Sequence, residues 1–421
     1  MDRFLLRVAE PHRPVLALVV LAALVYLPCV WARDPWSPDE PRYAEVARQM
    51  AVRGDYLLPS LNGTVYGEKP PLFFWLGMAA GWLPGIPAAA GVRLVSVLAA
   101  LGTLLLVFHL GRRLGDARGG WLAALVMATS AMFALHATTG VIDATLTLLV
   151  TAAIAVGLKA REAGAPTLWG AFYVLAGLGL ITKGPVALVV AGGTMLLVAL
   201  AEDGPRRAWA GHPAWGLPVA AAVVALWLIP AVARGGEAYA NVILFKQNLG
   251  RAYDSWHHKE PATFFLKVFP ASFVPWVAAL PLALVSAWRA RREDPSARVP
   301  LIWFCWTFLF FSLVSGKKTR YLLPLFPAAA LLVGRDLARH AERVGRRIAV
   351  GLVLCLAAAG SLALLWMGGG GIGRVVAGLE GLAADQREAL AALGRWPGAS
   401  WLILPGAAAG VVAVWGLARL G

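Results

Sequence analysis

The stretch Val92-Arg-Leu-Val-Ser-Val-Leu-Ala-Ala-Leu-Gly-Thr-Leu-Leu-Leu-Val-Phe-His-Leu110 is long and apolar enough to cross a bilayer as a helix. It is closed by Arg112, Arg113 and Arg118. Such a pairing both places a span and orients it, because Lys and Arg collect in short cytoplasmic loops. Further apolar runs at 15–31, 119–138, 141–158, 167–182, 185–200, 213–233, 266–288, 300–315, 321–336, 348–367 and 397–418 bring the expected spans to twelve. Short basic clusters recur in alternate loops: Lys159/Arg161, Arg206/Arg207, Arg289/Arg291/Arg292/Arg298 and Arg335/Arg339/Arg343/Arg346/Arg347. All are in register with a cytoplasmic N-terminus, so the other loops face outward. The first run, preceded by Arg3, Arg7 and Arg13, reads as an uncleaved anchor.

Composition agrees. Of 421 residues, 59% are hydrophobic and 14% charged, whereas a soluble domain carries about 25% charged residues. A soluble cytosolic enzyme and a disordered chain are both excluded, and an all-α polytopic membrane domain over 1–421 is the expectation. Cys29, Cys305 and Cys355 lie in apolar runs and suggest small buried residues, with neither a disulfide framework nor a CxxC metal site. The 38 Lys and Arg against 23 Asp and Glu leave a net charge of +15 that needs a location.

Two outward loops are long, 32–91 and 234–265, and a third runs 368–396; long loops in a compact protein carry function. In the first, Ser37-Pro-Asp-Glu40 reads as a capping box with Pro38 at the first helical position. Ala44, Val46, Ala47 and Met50 supply an apolar face, and Glu45, Arg48 and Arg53 a solvated one. Asp39 falls in the first turn, where the positive helix end favours an ionised carboxylate. Asn62-Gly63 marks a hairpin. Pro70-Pro71 follows Glu68-Lys69 and holds Lys69 extended at headgroup level. The run 72–83 is too short to span and reads as a surface or re-entrant helix. Asp143, Lys183 and Lys317-Lys-Thr-Arg320-Tyr321 stand at outer ends of spans, where ionisable groups are functional candidates and snorkelling is the plainer alternative for Lys183. Asp39, Lys69, Lys183, Arg251 and Arg320 would together hold anionic groups at the outer boundary. That suits the phosphoryl group of a lipid.

The series Asp39-Glu40-x-Arg42-Tyr43-Ala-Glu, Tyr66-x-Glu68-Lys69-Pro-Pro-Leu, Asn248-Leu-Gly-Arg251 with His258, and Arg320-Tyr321-Leu-Leu-Pro resembles the polyprenyl-phosphate-dependent membrane glycosyltransferases. These include the 4-amino-4-deoxy-L-arabinose lipid A transferases and the protein O-mannosyltransferases. The resemblance implies the C-type membrane glycosyltransferase fold. It also implies inverting transfer of a sugar from an undecaprenyl-phosphate donor to a lipid A, glycan or protein acceptor at the periplasmic face of the bacterial inner membrane. On that resemblance Asp39 sits at the reaction centre. Lys69, Arg251, Arg320, Tyr321 and Lys183 bind the donor phosphate, and Arg42, Tyr43, Tyr66 and Asp143 bind substrate. Glu68 and His258 match positions for a divalent metal cation. The partners implied are lipids and the acceptor, not nucleic acid. The arabinose transferases carry an outward C-terminal domain where this chain ends just after a span, which leaves the acceptor open. The rival reading is a multi-span transporter or flippase of lipid-linked sugars, which would show repeated halves and broken helices at the midplane.

Overall fold

The computed structural model describes residues 13–31, 35, 38–211, 214–244 and 260–340. One large body comprises the residues up to 27 and 35–336 and carries the elements discussed below. A second unit joins 28–34 to 337–421 and is described only in short pieces. The expected spans 348–367 and 397–418 and the segment 368–396 lie outside the described residues.

Among the described residues the fold is helical, with a single small hairpin. α1 (Arg13–Tyr26) is followed by α2 (Asp39–Arg53), the hairpin β1–β2 (Ser60–Leu61, Thr64–Val65) and α3 (Leu72–Gly81). The long helices come next: α4 (Ala88–Leu114), the pair α5 (Ala117–Ala128) and α6 (Ala131–Ala137), α7 (Ile142–Ala163), α8 (Pro166–Lys183), α9 (Val186–Gly211) and α10 (Leu217–Ala240). The described chain ends with α11 (Phe264–Ser272), α12 (Leu280–Ala290), α13 (Pro295–Leu313), a 3-10 turn (Thr319–Leu325) and α14 (Phe326–His340).

Six helices are long and apolar enough to cross a membrane, or seven if the bent pair α5–α6 is one span. The remaining expected spans differ for physical reasons. The run 119–138 bends by 70° between α5 and α6, where Thr129 and Ser130 turn their hydroxyls onto the carbonyls of Leu125 and Val126 and compete with the helical ladder. The run 266–288 divides into α11, a 3-10 turn at Trp276–Ala278 and α12, because Pro275 and Pro281 supply no N–H to a continuous helix. The expected span 321–336 is one of the six, Thr319–Arg339, and opens with a 3-10 turn that contains Pro324. The first run yields 14 helical residues in α1.

The surface elements sit where the apolar pattern predicts. α2 buries Ala44, Val46, Ala47 and Met50, and Phe73 and Phe74 of α3 join them in one cluster with Val92 of α4 and Ile142 of α7. A Cβ on Gly91 would stand 2.7 Å from the carbonyl oxygen of Gly77, so α3 and α4 touch backbone to backbone. The hairpin turns through Asn62 and Gly63 at φ 49° and 85°, the left-handed pair a two-residue turn requires. Cys305 corrects an expectation: it is exposed. Cys355 is not among the described residues.

Candidate active site

α2 brings Asp39 to the top of the bundle in its first turn. Ser37 is outside the described residues, Pro38 is the N-cap and no side chain caps the helix. The expected capping box with Ser37 thus falls partly outside the described residues, and what they show of Glu40 is a buried tie. It is 1% exposed; its carboxylate accepts from Arg93 Nε at 2.7 Å and from the backbone N–H of Gly140 at 2.8 Å. One buried acid thus ties α2 to α4 and to the loop before α7. Burial of a charge is tolerated here because an opposite charge and a backbone donor meet it.

That tie sets two other carboxylates face to face across a guanidinium. Arg320, in the 3-10 turn that Pro324 imposes, donates from Nη2 to Asp39 Oδ2, and its Nε stands 3.4 Å from Asp143 Oδ2. Asp143, in the first turn of α7 and 2% exposed, is also hydrogen bonded to Lys183 Nζ at the end of α8. Lys183 lies over the Tyr321 ring at 4.2 Å. It is held by an acid and a ring, and does not snorkel to an interface. Lys318 Nζ and Arg42 Nη1 each reach Asp39 at 3.8 Å.

The loop after the hairpin completes the cluster. Glu68 Oε2 is 3.9 Å from Arg42 Nη1 and accepts from the Tyr66 hydroxyl at 3.5 Å. Lys69 occupies a bend before Pro70, not an extended segment, and its ammonium folds onto the Glu68 carbonyl at 3.1 Å. Tyr43 is buried beneath, edge-on to Phe73 and Phe74. Five cations (Arg42, Lys69, Lys183, Lys318, Arg320) gather around three carboxylates (Asp39, Glu68, Asp143), an excess that favours an anionic ligand. Arg251 and His258 lie outside the described residues.

The electrostatics follow from burial and neighbours. Burial pushes the Asp39 carboxyl up, but Arg320, with Lys318 and Arg42, more than offsets this and leaves it below its ordinary 3.8. Burial raises the Tyr43 and Tyr66 phenols, which stay protonated. Of the two positions matched to a divalent cation, Glu68 alone is among the described residues. Glu68 is faced by a guanidinium and a phenol, and no group of three or more His, Cys, Asp or Glu is gathered among the described residues.

Sequence reasoning singled out Asp39, Arg42, Tyr43, Tyr66, Glu68, Lys69, Asp143, Lys183, Arg320 and Tyr321, and the fold brings all ten into one neighbourhood. It did not single out Arg93 or the bridging role of Glu40. An Arg one residue inside an expected span was the available signal, since a buried cation needs a named partner.

The family described as dolichyl-phosphate-mannose-protein mannosyltransferase matches residues 68–232. The chain is 35% identical over 337 residues to an undecaprenyl phosphate-alpha-4-amino-4-deoxy-L-arabinose arabinosyl transferase of Pectobacterium atrosepticum, covering 79% of this chain and 60% of that one. The corresponding protein of Pectobacterium carotovorum is 34% identical, covering 81% and 64%. The chain thus spans about three-fifths of these relatives' length. Among solved structures, ArnT from Cupriavidus metallidurans bound to undecaprenyl phosphate superposes with a TM-score of 0.79 at 25% identity, covering 96% of this chain and 73% of that one. An oligosaccharyltransferase of Archaeoglobus fulgidus shares the fold at a TM-score of 0.52 and 13% identity, covering 94% and 56%. In sequence and fold together, the chain is similar to the polyprenyl-phosphate-dependent membrane glycosyltransferases.

Proposed function

We propose that this membrane protein transfers a sugar, with inversion, from an undecaprenyl-phosphate-linked donor to an acceptor of the lipid A type at the periplasmic face of the inner membrane. The observation that carries the reading is Asp39 and Asp143 facing one another through Arg320, with Lys318, Lys183, Arg42 and Lys69 around them. The relatives support the donor and sugar class, being named as arabinosyl transferases that use undecaprenyl phosphate.

In this reaction the bond between the anomeric carbon and the donor phosphate breaks, and its electron pair leaves on the polyprenyl phosphate. An acceptor oxygen forms the new bond. The growing phosphate charge needs cations placed beforehand. Lys69 and Arg251 serve the donor phosphate. Asp39 takes Arg320 Nη2 and Asp143 faces its Nε, which leaves Nη1 for a phosphate oxygen. Tyr66, Tyr43 and Tyr321 shape the pocket for the sugar.

The depressed Asp39 carboxyl bears on the acceptor. Against the effect of burial, Arg320, Lys318 and Arg42 lower that carboxyl, which weakens it as a base toward a sugar or serine hydroxyl. It suits a substrate that arrives already ionised, a phosphate group, with Asp39 positioning the sugar ring. The test is mass spectrometry of envelope lipids from cells expressing the wild type, D39N or neither. A sugar adduct on lipid phosphate, present with wild type and absent with D39N, is the expected result. Adducts unchanged in D39N, or confined to hydroxyl groups of glycan or protein, would overturn the corresponding part of the reading.

A further inference from the structure

The end of the bundle farthest from Asp39 carries a second concave site. α7 begins beside Asp143 and reaches Arg161 roughly 27 Å along its axis, where Arg161 meets Glu202 at 2.8 Å and Asp203 at 3.1 Å. Glu202 also accepts from Arg298 Nη2 at 2.7 Å and Nε at 3.1 Å. The remaining Arg298 Nη1 donates to the backbone carbonyls of Arg291 and Arg292 at 3.3 and 3.0 Å. One guanidinium therefore locks α9, the end of α12 and the start of α13 together. These elements frame a cavity of about 350 Å³ lined by Arg291, Arg292 and Arg298, by Trp288, and by Leu301, Ile302 and Cys305.

Three features define the occupant. First, Arg298 is committed to Glu202, but Arg291 and Arg292 meet no carboxylate at ion-pair distance among the described residues. Second, Arg291 is held in advance: its guanidinium lies 3.7 Å over the Trp288 ring and donates to the Trp288 carbonyl. Third, the lining includes Leu301, Ile302 and Cys305 of α13, and α12 and α13 expose Leu282 (70%) and Leu309 (52%), the kind of surface that lipid tails cover. A free anion would leave the apolar lining wetted, whereas an anionic lipid satisfies both that lining and the arginines.

We propose that this pocket binds a phospholipid with an anionic headgroup, its phosphate between Arg291 and Arg292 and its acyl chains along Leu301, Ile302 and Cys305. The site is separate from the candidate active site and does not depend on the glycosyltransferase reading. The experiment is native mass spectrometry of the full chain in mild detergent, titrated with phosphatidylglycerol or phosphatidylcholine, with inorganic phosphate as competitor. Wild type should hold one phosphatidylglycerol more tightly than phosphatidylcholine. R291Q/R292Q should weaken it roughly tenfold to thirtyfold, the scale of two interfacial cations. R112Q/R118Q, at the same end of the bundle but outside the pocket, should leave it unchanged. Equal retention of both lipids, an unaltered R291Q/R292Q, or equal loss in R112Q/R118Q would overturn the proposal. Displacement of the lipid by millimolar inorganic phosphate would assign the pocket to a free anion instead.

Discussion

Arg320 is the residue on which the candidate site balances, and R320Q tests that balance. Its guanidinium serves two buried carboxylates, Asp39 at 7% exposure and Asp143 at 2%. Removing one partner of a buried ion pair costs about 3–5 kcal/mol when nothing else compensates. Here Asp39 keeps Lys318 and Arg42 at 3.8 Å and Asp143 keeps Lys183. The loss at Asp39 should therefore be nearer the 1.5–3 kcal/mol, roughly, of one charged hydrogen bond. At about 1.4 kcal/mol per pH unit, that lifts the carboxyl by one to two units. In the wild type Asp39 lies below 3.8, so it stays ionised and contributes no limb between pH 5 and 8. In R320Q the acid limb should move upward. The assay is sugar transfer by the purified protein in liposomes, followed from pH 4 to 8 for both forms. The folding signature has a fixed sign. A depressed carboxyl stabilises above its unfolded value and loses that contribution as pH falls through the folded one, so the Tm deficit of R320Q should be largest at neutral pH and shrink below about pH 4. Wild-type turnover with an unshifted acid limb in R320Q would refute the reasoning.

Two more predictions concern its neighbours. Glu40→Ala leaves Arg93 buried without its carboxylate and Gly140 N–H without its acceptor, and should cost about 3–5 kcal/mol in thermal or denaturant unfolding, while the apolar pair E40M/R93M recovers most of that loss. Were E40A as stable as wild type, the buried tie would not hold α2 in place. Lys69→Ala should weaken binding of undecaprenyl phosphate by about 1.5–3 kcal/mol in a titration. Unchanged affinity would remove Lys69 from the phosphate site.

Much of the architecture was legible along the chain because it is written in local pattern. The apolar runs at 92–110, 141–158 and 185–200 became α4, α7 and α9, since a helix alone satisfies its backbone within one apolar segment. The amphipathic face of α2 and the Asn62-Gly63 turn were read for the same reason. Where the reading missed, the cause was also local but weaker than the apolar signal. Thr129-Ser130 bends one run, and Pro275 and Pro281 divide another, though hydropathy alone runs straight through them.

The candidate site divides the same way. Asp39, Lys69, Asp143, Lys183 and Arg320 stand out in sequence because an ionisable group at a bilayer boundary is costly and needs a purpose. Their partners do not stand out. Asp39 and Arg320 are 281 positions apart, Glu40 and Arg93 are 53 apart, and Lys183 and Asp143 are 40 apart. By itself the sequence determined a helical membrane protein with charge reserved for one surface, because hydropathy and charge cost are properties of each residue in its own segment. Only the tertiary structure decided that Glu40 is a buried tie, and that one guanidinium stands between two carboxylates, because pairings across such separations depend on how the helices pack.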